Sequence, residues 1–320
     1  MFSPLGTSPG EEIASVLFAA GRGERLRPLT DSVAKPALPL LDVPLGAWGL
    51  AALSSRRRTV INVSHLPDMV TKALGNPIDV EYLLEEPEPF GTGGTLAAVR
   101  DRIGERIVCW NADMLTDLSV ADLLATHKGT GAAGTIAVKP TVSLADFVIK
   151  GAHAAGVIDR RVSNRPGVQY VGVAVFEKDA LHLLGDERPV GLTGSLLVPL
   201  LERGELAAHE HKGYSIDVGT IDRYLAASLD VLYERGPRPP FPLLGEIVEV
   251  DGGRAYIGPN AEVDKASLGP GAIVLAGAIV MSGAHIQNSV VFFEENVASK
   301  VHVSNSVWFR RSPLGTDPSQ

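Results

Sequence analysis

A single cysteine in 320 residues leaves no internal disulfide to form, and a lone Cys109 fits a reducing, cytoplasmic setting. Cys109 falls inside Ile107-Val108-Cys109-Trp110, so it reads as a buried strand thiol and not as a nucleophile. Basic residues are in deficit. There are 29 Lys and Arg against 37 Asp and Glu, a net charge of −8, which argues against a general nucleic-acid surface. The short run Arg56-Arg57-Arg58 reads as a solvated turn. No apolar run reaches the length that spans a bilayer, and no basic region precedes an apolar stretch at the start, so neither a membrane segment nor a signal peptide is expected. With 45% hydrophobic and 21% charged residues, the composition is that of a soluble globular protein, long enough for two domains.

What is present starts with an apolar run, Ile13 to Ala20, which reads as a buried first strand. Gly21-Arg22-Gly23-Glu24-Arg25-Leu26-Arg27-Pro28-Leu29-Thr30 follows directly, and then Lys35-Pro36. Two glycines let the backbone turn sharply and approach a ligand, because no Cβ intervenes. Backbone N–H groups in such a turn cradle phosphate oxygens, and Arg25 and Lys35 add fixed positive charge. Arg22 and Arg27 are neighbouring alternatives that read as exposed. The loop is not a Walker A loop, because no Gly-Lys-Ser/Thr follows. Nor is it the dinucleotide fingerprint, because the third glycine is missing and Arg25 stands where a helix would open.

Residues 12–236 alternate strand-like and helix-like segments. Strands are expected at 59–63, 78–83, 106–110, 134–138 and 168–176, with helices over 118–127 and 221–235. The alternation predicts an α/β domain with a doubly wound, mostly parallel sheet, whose ligands lie at the carboxyl ends of strands. Residues 237–245 are proline-rich and read as a stiff linker. Beyond it Leu268, Val274, Val280 and Ile286 recur every six residues, with Ala272, Ala278 and Ala284 four places after the first three. Ile257 and Val263 keep the period before a one-residue slip. That repeat predicts a β-helix solenoid over 246–312, and Thr316 to Gln320 reads as a loose tail.

The string from Gly21 to Thr30, with Lys35-Pro36, resembles the signature of the sugar-1-phosphate nucleotidyltransferases, or nucleotide-sugar pyrophosphorylases. The likeness runs from about residue 13 to 309 and is nearest in look to mannose-1-phosphate guanylyltransferase-like proteins with a C-terminal left-handed β-helix. It implies a Rossmann-like, doubly wound mixed sheet of the nucleotide-diphospho-sugar transferase type, followed by a short left-handed parallel β-helix. It also implies a reaction. A nucleoside triphosphate and a sugar-1-phosphate give a nucleoside diphosphate sugar and pyrophosphate, with Mg2+ as cofactor and a homodimer or higher homo-oligomer as the assembly.

Residue by residue, the resemblance assigns Arg25 and Lys35 to the phosphates and Ala20, Gly21 and Gly23 to the nucleotide. Asn111-Ala112-Asp113 resembles the family's Asn-Gly-Asp, and Asp217-Val218-Gly219-Thr220 its Asp-Val/Ile-Gly-Thr. The two aspartates are implied magnesium ligands, although either acid by itself also reads as a helix cap or turn residue. Glu85-Glu86-Pro87-Glu88-Pro89-Phe90-Gly91-Thr92 resembles the base-reading loop, with Glu86, Gly91 and Thr92 at the nucleotide. A carboxylate only accepts hydrogen bonds, so Glu86 suits the two adjacent donors of guanine. The family's Glu-Lys-Pro for the sugar phosphate is absent, which leaves Arg160, Arg161 or Arg165 as the cation. Tyr170-Val171-Gly172 stands where an asparagine-containing strand is usual. The departure opens the acceptor to a modified sugar or a cyclitol phosphate. Alternative readings are a non-catalytic regulatory subunit that binds nucleotide sugars and a member using UTP or dTTP. An acyl-transferring β-helix has only His285 and His302 to work with.

Overall fold

The computed structural model describes residues 13–54, 58–142, 146–150, 153–157 and 167–315. Arg56, Arg57, Arg160, Arg161, Arg165 and the tail from Thr316 lie outside them. The chain forms two compact units. One holds the chain through Arg22, Gly49–Met114 and Leu118–Ser215; the other holds Gly23–Trp48, Leu115–Asp117 and the chain from Ile216 on.

The first unit is built on a nine-stranded sheet. Its order is Val80–Leu84, Arg58–Val63, Ile13–Phe18, Ile103–Asn111, Gly167–Glu177, Gly134–Thr141, Leu206–Glu210, His153–Val157 and Phe147–Lys150. Ile13–Phe18 has parallel neighbours on both sides, Arg58–Val63 and Ile103–Asn111. The strand order therefore turns at the first strand, and such a switch opens a crevice at the carboxyl ends. Gly167–Glu177 runs antiparallel to both of its neighbours over most of its length, which makes the sheet mixed. Strands that are apolar on both faces require cover on both faces. Leu96 and Val99 of the Gly91–Val99 helix and Leu181, Leu196 and Leu200 farther on pack into the same core as Val16, Val60 and Cys109. Burial pushes the Cys109 thiol far above its ordinary range, so it stays protonated and inert.

The expected helix near 118–127 is Val120–Thr130, started by Ser119, whose side chain accepts from Asp122 N. Its end is set by Gly131 at φ 64°. Three short strands escaped the sequence reading. Phe147–Lys150, His153–Val157 and Leu206–Glu210 extend the sheet at its far edge.

In the second unit the hexad pattern becomes a parallel β-helix whose coil is seventeen residues long, as Tyr256↔Ile273, Ala272↔Ser289, Ile279↔Asn296 and His285↔His302 show. The interior column runs Ile257, Val274, Val291, Trp308 on one face and Val280, Val297 on the next. The one-residue slip noted in the sequence, between Val263 and Leu268, is one such shortening; later ones fall between Ile286 and Val291 and between Val303 and Trp308, so Leu268 bridges Ile286 eighteen residues on. Backbone corners repeat with the same spacing: positive φ occurs at Gly271, Gly277, Gly283, Asn288, Glu294, Lys300 and Asn305. Phe292 is fully buried and meets Tyr224 of the Ile221–Leu232 helix, with ring centroids 6.4 Å apart. It therefore braces that helix. A second tie lies at Asp42, whose Oδ2 accepts from Leu244 N, from Gly245 N at 2.9 Å and from the Tyr256 hydroxyl at 2.6 Å.

Candidate functional site

The first unit carries a cavity of about 210 Å³ at the carboxyl ends of its first strands. Phe18, Ala20 and Gly21 line it from the end of Ile13–Phe18 and Asn62 from Arg58–Val63. Glu85, Pro89, Gly91 and Thr92 line it from the loop after Val80–Leu84, and Asn111 and Asp113 from the end of Ile103–Asn111. Five residues assigned from sequence meet here: Ala20, Gly21, Gly91, Thr92 and Asp113. The chain is led into this crevice by a bond from Ala112 N to Phe18 O, 3.0 Å, which holds the Asn111–Asp113 turn against the first strand.

The wall of the cavity is a buried polar network that the sequence reading missed. Asn62 Oδ1 accepts from Ala19 N at 2.7 Å, and Asn62 Nδ2 donates to Glu85 Oε1 and Thr95 Oγ1 at 3.0 and 2.9 Å. Thr95 Oγ1 donates to Glu85 Oε1 at 2.6 Å, and Phe90 N donates to Glu85 Oε2 at 2.8 Å. Every polar atom of the network is paired, so it rigidifies the two loops instead of costing unpaired burial. A polar Asn62 set between the apolar Ile61 and Val63 was the available signal. Of the adjacent glutamates, Glu85 is fully buried, whereas Glu86 is exposed and is not among the cavity's lining residues.

Gly91 is required by close approach. At φ 74° a Cβ there would run into the Val190 carbonyl, whose oxygen accepts from Gly93 N and Gly94 N at 2.9 and 3.2 Å. The Thr92 hydroxyl in turn accepts from Leu192 N at 2.9 Å. Tyr170 sits in Gly167–Glu177, its hydroxyl buried with no hydrogen-bond partner among the described residues. Burial pushes that phenol well above its ordinary range, and the nearby Cys109 and Asp113 add to the shift. Gly172, at φ 73°, packs on the side chains of Met114 and Asn111. Arg160 and Arg161, the proposed acceptor cations, lie outside the described residues.

In the second unit the remaining charged residues gather on one carboxylate. Lys35 Nζ lies 3.9 Å from Asp217 Oδ1, and Arg25 Nη2 lies 3.9 Å from Oδ2. Arg223 Nη1 donates to Oδ2 at 3.2 Å. Gly23 is at φ 64° at the start of the short turn that carries Arg25, and its carbonyl accepts from the Thr30 hydroxyl at 2.8 Å. Arg27 pairs with Asp31 at 3.3 Å, away from this group. Arg223 had no motif to mark it. Its place follows from the start of the Ile221–Leu232 helix, where Thr220 accepts from Arg223 N at 3.3 Å. Asp113 belongs to the first unit and Asp217 to the second.

The donor chemistry fits a hard cation: Asp113 and Asn111 offer oxygen ligands in the cavity wall. Among the described residues no three His, Cys, Asp or Glu form a complete metal cage. A divalent ion held by one or two carboxylates would draw its other ligands from phosphate oxygens and water. Among the described residues no helix is long and apolar enough to cross a membrane.

Comparison with known proteins accounts for this arrangement. Residues 14–234 match the family model for nucleotidyl transferase. A mannose-1-phosphate guanylyltransferase from Mycobacterium tuberculosis is 26% identical over 291 residues, covering 86% of this chain and 77% of that protein. A mannose-1-phosphate guanyltransferase from Schizosaccharomyces pombe is 27% identical over 272 residues, covering 78% and 73%. A solved Bacillus anthracis structure, described as a glucose-1-phosphate thymidylyltransferase by assignment and holding a sucrose, shares the fold. Its TM-score is 0.59 at 17% identity, covering 68% of this chain and 94% of that one. A glycine turn after the first strand, the acid at the end of Ile103–Asn111 and a family match over more than two thirds of the sequence agree: this chain belongs to the nucleotidyl transferase family.

Proposed function

We propose that the protein joins a nucleoside triphosphate, GTP by preference, to a sugar-1-phosphate or a sugar-like cyclitol 1-phosphate, forming a nucleoside diphosphate sugar and releasing pyrophosphate. The observation that carries the reading is the cavity at the strand ends. It gathers Ala20, Gly21, Gly91, Thr92 and Asp113 from three separate motifs into one lining. The relatives named mannose-1-phosphate guanylyltransferase support guanine as the base and mannose-1-phosphate as the first acceptor to try. Glu86, exposed on the loop before Gly91, is free of the buried network that occupies Glu85, which leaves its carboxylate available to accept from a guanine edge.

In the proposed reaction an acceptor phosphate oxygen attacks the α-phosphorus in line, and the bond to the bridging oxygen of the β-phosphate breaks. Pyrophosphate leaves with that oxygen and its electron pair. Transfer of this kind depends on positioning and charge neutralisation and needs no covalent intermediate on the protein. Mg2+ supplies positive charge to the triphosphate oxygens when bound. Asp113 is the ligand proposed for it in the first unit, and the role of Asp217 as a second carboxylate rests on its motif. Lys35 and Arg25 neutralise charge that develops on the phosphates. Tyr170, Gly172, Arg160 and Arg161 are the proposed acceptor side. Cytoplasmic location and self-association belong to the same proposal.

The test is a matrix of GTP, UTP, dTTP, ATP and CTP against mannose-1-phosphate, glucose-1-phosphate and cyclitol 1-phosphates, read by pyrophosphate release. The expected result is turnover with GTP above the other nucleotides. A clear preference for UTP or dTTP would remove the guanine assignment, and no turnover with any pair would favour the regulatory-subunit reading.

A further inference from the structure

The cations around Asp217 are divided between its two oxygens, and the division is informative. Lys35 approaches Oδ1, while Arg25 and Arg223 share Oδ2. The Lys35 side chain is only 11% exposed, but those of Arg25 and Arg223 are 67% and 45% exposed. Lys35 is thus a single buried charge, and the two guanidiniums form an open pair facing solvent. A guanidinium has five N–H donors, and the Arg223 bond to Asp217 engages one of its side-chain nitrogens. The remaining donors form a planar fork whose geometry matches phosphate oxygens as well as carboxylate.

Two features hold the pair ready. Thr220 caps the Ile221–Leu232 helix and fixes the backbone of Arg223, three residues on. Gly219 lies directly against the other guanidinium: a Cβ there would stand 2.8 Å from Arg25 Nη2 and 2.9 Å from Asp217 Oδ1. Asp217 itself serves as the template, keeping like charges together that would otherwise repel.

We propose that Arg223 is a pyrophosphate-binding residue. With Arg25 it grips the terminal two phosphates of the bound triphosphate and then the departing pyrophosphate, while Lys35 on the opposite oxygen of Asp217 serves the phosphate that reacts. The proposal rests on the nucleotidyl-transfer reading for its substrate but on the Asp217 cluster for its residue. It places the leaving group against two planar forks and the reacting phosphate against a point charge. The division suits the chemistry, because a pyrophosphate carries several oxygens for bidentate contact and the reacting phosphorus must stay free to change geometry.

The test compares the full chain with Arg223→Gln and Arg223→Lys. Pyrophosphate binding is measured by titration calorimetry with Mg2+ present and without turnover, and steady-state kinetics then give KM for each substrate and inhibition by pyrophosphate. Arg223→Gln is expected to weaken pyrophosphate binding and inhibition about tenfold or more. It should raise KM for the nucleotide and leave KM for the acceptor unchanged. Arg223→Lys should recover part of the loss, since it restores charge without the fork; if the glutamine variant does not fold, a several-fold loss in the lysine variant supports the same conclusion. Wild-type pyrophosphate binding in Arg223→Gln, or a defect confined to the acceptor KM, overturns the assignment. The two readings fail separately. A wild-type chain that turns over no substrate pair, yet loses pyrophosphate on Arg223→Gln, removes the catalytic reading and keeps the grip. Normal turnover with an unaffected Arg223→Gln removes the grip alone.

Discussion

Single side chains divide into those that touch the reaction and those that hold the touching ones still. Asp113, which lines the cavity from the end of Ile103–Asn111, is proposed to be of the first kind. Asp113→Asn keeps the size and removes the charge, so kcat should fall about a hundredfold or more with little change in melting temperature. Normal turnover by this variant in the pyrophosphate-release assay would show that the carboxylate is not a metal ligand. Glu85 is of the second kind. Its oxygens accept from Asn62, Thr95 and Phe90, so it sets the course of the loop that presents Gly91 and Thr92. The two glutamates are adjacent and chemically identical, and only packing separates the strut from the exposed group.

At the level of elements, the β-helix depends on backbone corners as much as on its apolar column. Each coil turns through residues in the left-handed region, some of them glycine and some not. Lys300, at φ 68°, carries a side chain where a Cβ costs free energy, whereas Gly271, at φ 74°, has no room for one beside Asn288. Opposite substitutions should therefore move stability in opposite directions. Lys300→Gly is expected to stabilise by about 0.5–1 kcal/mol, the relief of the corner exceeding the added chain entropy of glycine. Gly271→Ala should destabilise by about 1–3 kcal/mol. Denaturant midpoints of the two variants check this, and equal effects of one sign would show that the corners carry no backbone strain.

For the whole molecule, the net charge of −8 makes acid a natural way to probe stability, and one ion group in the first unit gives the response a definite sign. Glu81 meets Arg102 at 2.5 Å and Arg58 at 2.6 Å, joining Val80–Leu84 to the strand beside it and to the approach to Ile103–Asn111. Burial by itself would raise this carboxyl, but hydrogen bonding and charge from Arg102, then Arg58, bring it below the ordinary 4.5. A carboxyl lowered on folding contributes stability that is complete above its unfolded value and disappears as pH falls through the folded one. Glu81→Gln should therefore melt lower than the parent at pH 7, by the equivalent of about 1–2 kcal/mol. The gap should close as pH drops below 4.5. A gap that stays constant down to pH 2 would mean that the ionised state of Glu81 adds nothing to stability.

What the amino-acid order determined by itself was local. The turn after an apolar strand, the acid after another, and a six-residue repeat are properties of neighbours along the chain, and backbone geometry converts them directly into a glycine turn at a strand end, a strand-end carboxylate and a coil. Much of the sheet was legible for the same reason, since its central strands are continuous apolar runs. Three things needed the tertiary structure. The coil length became seventeen because corners must stack above corners, which no single hexad states. Glu85 rather than Glu86 became the buried strut because Asn62 and Thr95 wait for it across the sheet and on the following helix. Arg223, in a helical segment with no motif of its own, joined Lys35 and Arg25 because a cap at Thr220 turns the first helical turn toward Asp217. Partners far apart in sequence meet only through packing, and packing is a property of the folded chain as a whole.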